Sequence, residues 1–233
     1  MSIRCDVLVV GAGPAGSSAA RAAAKKGLKT ILIDKKEEIG NPVQCAESVG
    51  TYLLPYLPFK IPKELLRWEI TGMYLWTENL AIIKDERGIF SGYAIDRLKW
   101  DSWISSIAVK NGANLLAETK LISLEFDGNQ VIKAIAEKAG KKVEFKPKYV
   151  IGADGTHSTV IDFLDVPKNE VLGYVRSFEM KNLKLKYPKY DQLFFGEFAP
   201  KAYAYFFPIS NTSANIGIGT IYKNKNLDDL YEK

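Results

Sequence analysis

Residues 5–35 read CDVLVVGAGPAGSSAARAAAKKGLKTILIDK, and the organisation of the rest of the chain follows from them. Residues 7–10 form an apolar run too short for a helix and β-branched enough for a buried strand. Gly11, Gly13 and Gly16 follow with G-x-G-x-x-G spacing, and residues 17–26 are rich in Ala, the best helix former. Gly27 is placed to stop that helix. Residues 30–33 make a second apolar strand that ends at Asp34. The glycines permit a tight turn, close approach to a pyrophosphate and close helix–strand packing, while the helix N-terminus offers unpaired N–H groups to an anion. Asp34 stands where an acid that binds a ribose hydroxyl belongs. Glycine spacing alone is weak evidence; with both strands, the helix and the acid in place it implies a bound dinucleotide.

The surrounding composition is that of an ordinary globular protein: 233 residues, 47% hydrophobic and 25% charged, enough for one large domain or two small ones. The net charge of +5 is mild, and the lysines of KKGLK, KAGKKVEFKPK and KNLKLKYPK are scattered where turns are expected. They read as a solvated face, with contact to anionic lipid at a membrane surface the alternative. No apolar run reaches spanning length. The first strand begins almost at once, which leaves no room for a signal peptide. Cys5 and Cys45 do not make a disulfide framework, so the expected compartment is reducing and cytoplasmic. No Cys/His cluster suggests a metal and no nucleophile–base pair suggests hydrolysis. Lysines among aromatics over residues 184–190 are too little to imply nucleic acid.

Along the chain, residues 35–50 (KKEEIGNPVQCAESVG) are polar and turn-rich, and residues 52–62 are irregular or short-helical around Pro55, Pro58 and Pro62. Strands are expected over 69–76 and 80–84, joined by a turn at Glu78-Asn79, and over 93–95. Asp96 then caps a helix with Trp100, Trp103, Ile104, Ile107 and Ala108 on one face, ended by Asn111-Gly112. Further strands are expected over 115–116, 121–126, 131–136, 143–145 and 149–151. From residue 174 the pattern changes to longer strands without intervening helices, over 175–180, 192–198, 203–207 and 214–221, which implies an antiparallel unit. The expectation is an α/β protein: a Rossmann-type nucleotide-binding domain over 1–72 and 91–168, interleaved with an antiparallel substrate domain over 73–90 and 169–233.

The stretch IGADGTHSTV at 151–160 adds a strand, an Asp-Gly turn and a helix start. Together with the first fingerprint it resembles the p-hydroxybenzoate-hydroxylase-like flavoproteins, in which a G-A-D-G-x-x-S segment helps hold FAD. The resemblance is incomplete here, because Ile161 stands near the place of a common Arg. PVQCAES at 42–48 resembles the P-V-x-C-x-E-[GS] loop of geranylgeranyl reductases, and YAYFFPISNTSANIGIG at 203–219 resembles their Y-x-W-x-F-P…G-x-G element, with Tyr205 where Trp is usual. The chain is thus similar throughout to archaeal digeranylgeranylglycerophospholipid reductases, whose members run well beyond this length.

That resemblance implies FAD as cofactor, a long isoprenoid lipid as substrate and hydride transfer from reduced flavin to an alkene. It implies pyrophosphate contacts at Gly11, Gly13, Ala15 and Gly16, ribose contact at Asp34, and flavin-side contacts at Cys45, Ala46 and Ser48. Arg97 would reach toward the cofactor phosphates, Leu121 would touch the adenine through its backbone, and Asp154 and Gly155 would complete the cofactor set. Cys45 or Tyr203 is the implied proton donor; Tyr205 and Phe207 are implied at the substrate. The plain alternatives stay open: a first-turn surface Arg at 97, a small packing residue at 45, a turn residue at His157, and core packing for the aromatics between 194 and 207. An external electron donor, reduced nicotinamide or ferredoxin, is implied, and so is a partner supplying the family's later half. A monooxygenase or halogenase on the same scaffold, or an inactive flavin-binding fragment, are the rival expectations.

Overall fold

The computed structural model describes residues 2–77, 80–85, 91–168, 172–222 and 227. Its elements run β1 (Ser2–Val10), α1 (Pro14–Lys25), β2 (Thr30–Ile33), β3 (Ser48–Gly50), β4 (Leu66–Ile70), β5 (Gly72–Thr77), β6 (Leu80–Asp85), β7 (Gly92–Ile95), α2 (Arg97–Lys110), β8 (Asn114–Leu116), β9 (Thr119–Asp127), β10 (Gln130–Lys138), β11 (Lys141–Gly152), β12 (Tyr174–Met180), β13 (Tyr190–Phe195), β14 (Ala204–Pro208) and β15 (Ala214–Thr220). The expected turn at Glu78-Asn79 lies outside the described residues. Two compact units emerge, Met1–Val43 with Leu98–Lys168, and Gln44–Arg97 with Asn169–Lys233.

The first unit is built on one sheet in the order β8-β2-β1-β11-β10-β9. Its first four strands are parallel, and β10 and β9 join them antiparallel. Parallel strands are covered on both faces, and β1 obeys: Val7, Leu8, Val9 and Val10 are all buried. Val7 and Val9 pack with Leu32 under Ala20 and Ala24 of α1. Leu8 and Val10 join Ile31, Ile33, Leu121, Leu124 and Phe145 on the other side. Where two strands are expected over 143–145 and 149–151, one strand, β11, runs through Pro147. Its pairing with β10 spans 141–145 while its pairing with β1 spans 144–152, so the proline falls past the β10 ladder and costs no hydrogen bond there.

The second unit holds a six-stranded sheet, β12-β15-β14-β13-β5-β6, and a three-stranded one, β3-β7-β4. The expected strand over 69–76 divides at Thr71, whose N–H and hydroxyl both donate to the Lys189 carbonyl. That bond sends β4 into the small sheet and β5 into the large one. β5 runs parallel to β13, a departure from a purely antiparallel unit. The two strands come from distant parts of the chain, so no hairpin fixes their direction. Residues 44–72 and 91–97, expected with the nucleotide-binding domain, belong to the second unit. The small sheet takes up β3, β4 and β7; the first residue of β3, Ser48, is hydrogen-bonded to β13, and Glu47 just before it to β15.

Candidate functional site

In the first unit the fingerprint loop has the features a dinucleotide requires. Gly11 adopts φ +99°, and a Cβ there or on Gly16 would overlap the carbonyl of Ala153 or of Gly11 respectively, so both positions must be glycine for the loop and helix to close. A Cβ on Gly13 would meet no protein atom within 4 Å. That glycine keeps an open face at the start of α1. No side chain caps α1 and no acid lies in its first turn, so its leading N–H groups and the positive end of its dipole are available to an anion. Ala15, in this first turn, is exposed.

The Asp34 carboxylate is held at this loop. Its Oδ2 accepts from the Ala12 N–H at 2.6 Å and its Oδ1 from the Lys36 N–H at 2.9 Å. It therefore joins the end of β2 to the glycine turn and sits half-buried at its edge. Leu121 is buried with its side chain in the core, beside an irregularity in the β9–β10 register. Asp154 uses its carboxylate internally: Oδ1 accepts from the Ser158 hydroxyl at 2.6 Å, and Oδ2 from the N–H groups of Thr159 and Val160 at 2.6 and 3.1 Å. What Asp154 and Gly155 offer a ligand is thus mainly backbone, with Gly155 at φ +84° and open space around its Cα. His157 is exposed in the turn that follows them.

In the second unit the large sheet presents one face that gathers most of the remaining residues. Leu75, Leu193, Tyr205, Gly217 and Ser177 lie in register across β5, β13, β14, β15 and β12. Two residues further along each strand, and hence on the same face, come Met73, Asp191, Phe207, Asn215 and Glu179. A Cβ on Gly217 would overlap the Tyr205 ring; the glycine is the slot into which the tyrosine lies. The Tyr205 and Phe207 rings lie tilted to one another with centroids 4.9 Å apart, and those of Tyr203 and Phe195 are 5.9 Å apart. The opposite face carries a separate aromatic group, with Trp76 stacked on Phe194 at 6.1 Å and Tyr74 tilted against Tyr187 at 4.5 Å. Alternation along the strands divides the aromatics that the sequence leaves undivided.

The loop containing Cys45 is tied down onto the first of these faces. Glu47, only 6% exposed, adopts φ +64°, a conformation costly for a residue with a side chain. It is held there from several sides. Its carboxylate accepts from the Asn215 amide at 2.8 Å, the Arg97 N–H at 2.9 Å and the Arg67 guanidinium at 3.4 Å, and its carbonyl accepts from the Ile95 N–H at 2.7 Å. The Asn215 amide also reaches the Ala46 carbonyl at 3.3 Å, and the Glu47 N–H donates to Cys45 Sγ at 3.3 Å. Arg97 contributes its backbone to this arrangement. Ser48, next in the loop, donates to Asp191 Oδ2 at 2.9 Å.

Two groups on this face are electrostatically displaced. Burial pushes the Asp191 carboxyl up to about 7 against the pull of the Ser48 hydrogen bond. Burial also raises the Tyr205 phenol; its hydrogen bond with Ser177 opposes this, and Cys45, Tyr203 and Glu47 reinforce it. The structure therefore brings Cys45, Ala46, Ser48, Tyr203, Tyr205 and Phe207 together in the second unit, and Gly11, Gly13, Ala15, Gly16 and Asp34 together in the first. Sequence reasoning missed Glu47, Asp191 and Asn215. Asp191 is the one charged residue of YDQLFF and Asn215 the one polar residue of ANIGIG, and strand parity places each on the face that carries Tyr205.

Residues 6–159 match the family model described as FAD dependent oxidoreductase, and residues 174–232 the one described as geranylgeranyl reductase catalytic domain. The digeranylgeranylglycerophospholipid reductase of Picrophilus torridus is 34% identical over 99% of this chain and 60% of its own length. That of Methanocaldococcus jannaschii is 34% identical over 98% of this chain and 58% of its own length. The chain thus spans about 60% of the length of the curated relatives it matches. A crystal structure of a geranylgeranyl bacteriochlorophyll reductase-like protein from Thermoplasma acidophilum superposes with a TM-score of 0.88 at 28% identity, covering 100% of this chain and 61% of that one. A flavin-dependent brominase superposes with a TM-score of 0.80 at 18% identity over 98% of this chain and 61% of its own, which shows a shared fold.

Proposed function

The chain belongs to the FAD dependent oxidoreductase family, and from that premise we propose that it serves an FAD-dependent reduction of isoprenoid double bonds in membrane lipids. The observation that carries the reading is the fastening of the Cys45 loop, through Glu47–Asn215 and Ser48–Asp191, onto the face of the sheet that bears Tyr205 and Phe207. A thiol loop and an aromatic wall held in one rigid arrangement suit a long apolar chain. When bound, FAD supplies the hydride that saturating an alkene requires.

The residues present fit that cofactor. Gly11, Gly13, Ala15 and Gly16 receive the pyrophosphate at the uncapped helix end, and Asp34 holds the turn and meets the ribose. Gly155 and the backbone of Asp154, with Leu121 and Arg97, complete the cofactor contacts. In the second unit Cys45, Ala46 and Ser48 contact the flavin side, Cys45 and Tyr203 adjoin the reacting bond, and Tyr205 and Phe207 line the isoprenoid. Reduced nicotinamide or ferredoxin is the electron donor we propose. The proposed partner is a polypeptide supplying what the longer relatives add; Tyr149 on β11 is 69% exposed and Ile151 36%, apolar surface suited to being covered. No described helix is long and apolar enough to cross a membrane, and the proposed access to lipid is peripheral.

The test begins with flavin titration of the chain, with and without the remaining portion of a relative. Anaerobic mixing of the reduced complex with a geranylgeranylated phospholipid follows. Flavin reoxidation with a mass gain of two hydrogens per bond supports the reading. Oxygen-dependent hydroxylation or halogenation of an aromatic, without isoprenoid saturation, would replace it by the oxygen-activating alternative.

A further inference from the structure

Asp191 is a buried ionisable group that the proposed reduction has not yet used. It is 3% exposed, its Oδ2 lies 2.9 Å from Ser48 Oγ, and its Oδ1 is buried with no hydrogen-bond partner among the described residues. An ionised carboxylate with one oxygen buried and bare is costly, whereas a neutral carboxyl leaves only a carbonyl oxygen unpaired. If the proton is on Oδ2, the carboxyl donates to Ser48 Oγ. The Ser48 hydroxyl then has its own proton to give outward, and Ser48 is exposed. When Asp191 is ionised, Ser48 donates inward to it instead. The pair has two arrangements that differ by one proton and by the direction of one hydrogen bond.

The surroundings favour the neutral form. Met73 lies beside Asp191 in register and Phe207 follows along the same face, both apolar. The ionisable groups of the adjoining loop and sheet face are Cys45, Glu47, Tyr203, Tyr205, Glu179 and, from β4, Arg67. Arg67 is engaged with Glu47 and Glu179. The influences on Asp191 itself are burial, which raises it to about 7, and the weaker opposing pull of Ser48.

We propose that Asp191 and Ser48 form a proton relay, in which the buried Asp191 carboxyl holds a proton and passes it through the Ser48 hydroxyl to the outer side of the Cys45 loop. The catalytic use of the relay rests on the reductase reading. Saturation places the hydride of reduced flavin on one alkene carbon, and the alkene's π pair takes up a proton at the other. The Ser48 O–H bond breaks as that C–H bond forms, the Asp191 proton moves to Ser48 Oγ, and Asp191 is left as a carboxylate. Water reprotonates it along the same path. Cys45 and Tyr203, implied as donors by resemblance, become neighbours of the reacting bond.

Infrared difference spectroscopy on the chain, with Asp191→Asn as reference, tests the relay without any turnover. At pH 6 the parent should show a carboxylic C=O band absent from Asp191→Asn, and the band should fade as pH rises through about 7. On transfer to D2O the band should shift at once in the parent, at least about tenfold more slowly in Ser48→Ala, and again rapidly in Ser48→Thr. Absence of the band at pH 6, or equal exchange in parent and Ser48→Ala, overturns the relay. In the flavin-loaded protein, Asp191→Asn and Ser48→Ala should each slow reoxidation by a geranylgeranylated phospholipid by about a hundredfold or more. Unchanged rates overturn the relay's catalytic role. A parent that shows the band and its Ser48-dependent exchange, yet never oxidises flavin with isoprenoid, overturns the reductase reading and leaves the relay standing.

Discussion

The amide of Asn215 donates to Glu47 Oε2 at 2.8 Å, joining residues 168 apart in the sequence. Asn215 lies on β15, an inner strand of the large sheet, and Glu47 is the left-handed residue of the Cys45 loop, so this bond fixes the loop to the sheet. Replacing Glu47 by Ala removes the carboxylate that accepts from the Asn215 amide, the Arg97 N–H and the Arg67 guanidinium, and leaves Asn215 only its longer bond to the Ala46 carbonyl. The expected loss is about 3 kcal/mol of stability, read by urea denaturation. Alkylation of Cys45 by iodoacetamide should become faster, with Cys5, 5% exposed and raised by burial to about 11, staying inert. An unmoved midpoint with unchanged alkylation would show that the loop holds its shape without Glu47.

Gly217 and Tyr205 form a second pair, a slot and its occupant. Gly217→Ala should destabilise by about 1–3 kcal/mol, because the new methyl overlaps the ring. Tyr205→Ala makes a cavity and is costly by itself. The double variant should be less destabilised than the sum of the two, since the methyl then enters vacated space. Strict additivity in a thermal-melt cycle would mean that the ring does not rest on Gly217.

At the nucleotide end, Asp34→Ala removes the acceptor for the Ala12 and Lys36 N–H groups. FAD affinity should fall by roughly 1–3 kcal/mol, or about fivefold to over a hundredfold in Kd. Flavin fluorescence titration measures it. Equal affinity in parent and variant would remove Asp34 from cofactor binding.

The raised Asp191 carboxyl carries a pH signature of its own. Between its ordinary value of 3.8 and about 7, the folded chain keeps a proton that the unfolded chain has released. Stability therefore falls as pH rises through that window and stays lowered above it. Asp191→Asn, neutral throughout, should gain on the parent from pH 4 to 8 by on the order of a few kcal/mol, visible as a widening Tm difference. A constant difference would mean that Asp191 titrates as it does in water.

The nucleotide half was legible because its signals are local. Glycines, an alanine-rich helix and an acid at the strand end all lie within residues 5–35, and each is decided by neighbours in sequence. The aromatic segment was legible as strand, but its division between two faces required the register of β13, β14 and β15. Pro147 hid the continuity of β11, because nothing in the local sequence says where the β10 ladder stops. Thr71 hid the break between β4 and β5, which depends on a bond to Lys189, 118 residues later by number. Asp191 gains its displaced proton affinity from burial, against the opposing pull of Ser48, and both conditions are set by residues far away in the chain.

The interleaving of the two units imposes an order on their birth at the ribosome. The first unit's sheet acquires β11, the strand that joins its parallel and antiparallel parts, once residue 152 has emerged. By then β3 to β7 of the second unit have already been made, and β5 must wait for β13 before it gains its parallel neighbour. Until that neighbour arrives, one side of β5 is an open edge, a template for mispairing with other chains. Slowing translation after residue 152 would therefore prolong a state in which one unit can close while the other holds an unfilled strand edge, and aggregation during synthesis should originate there.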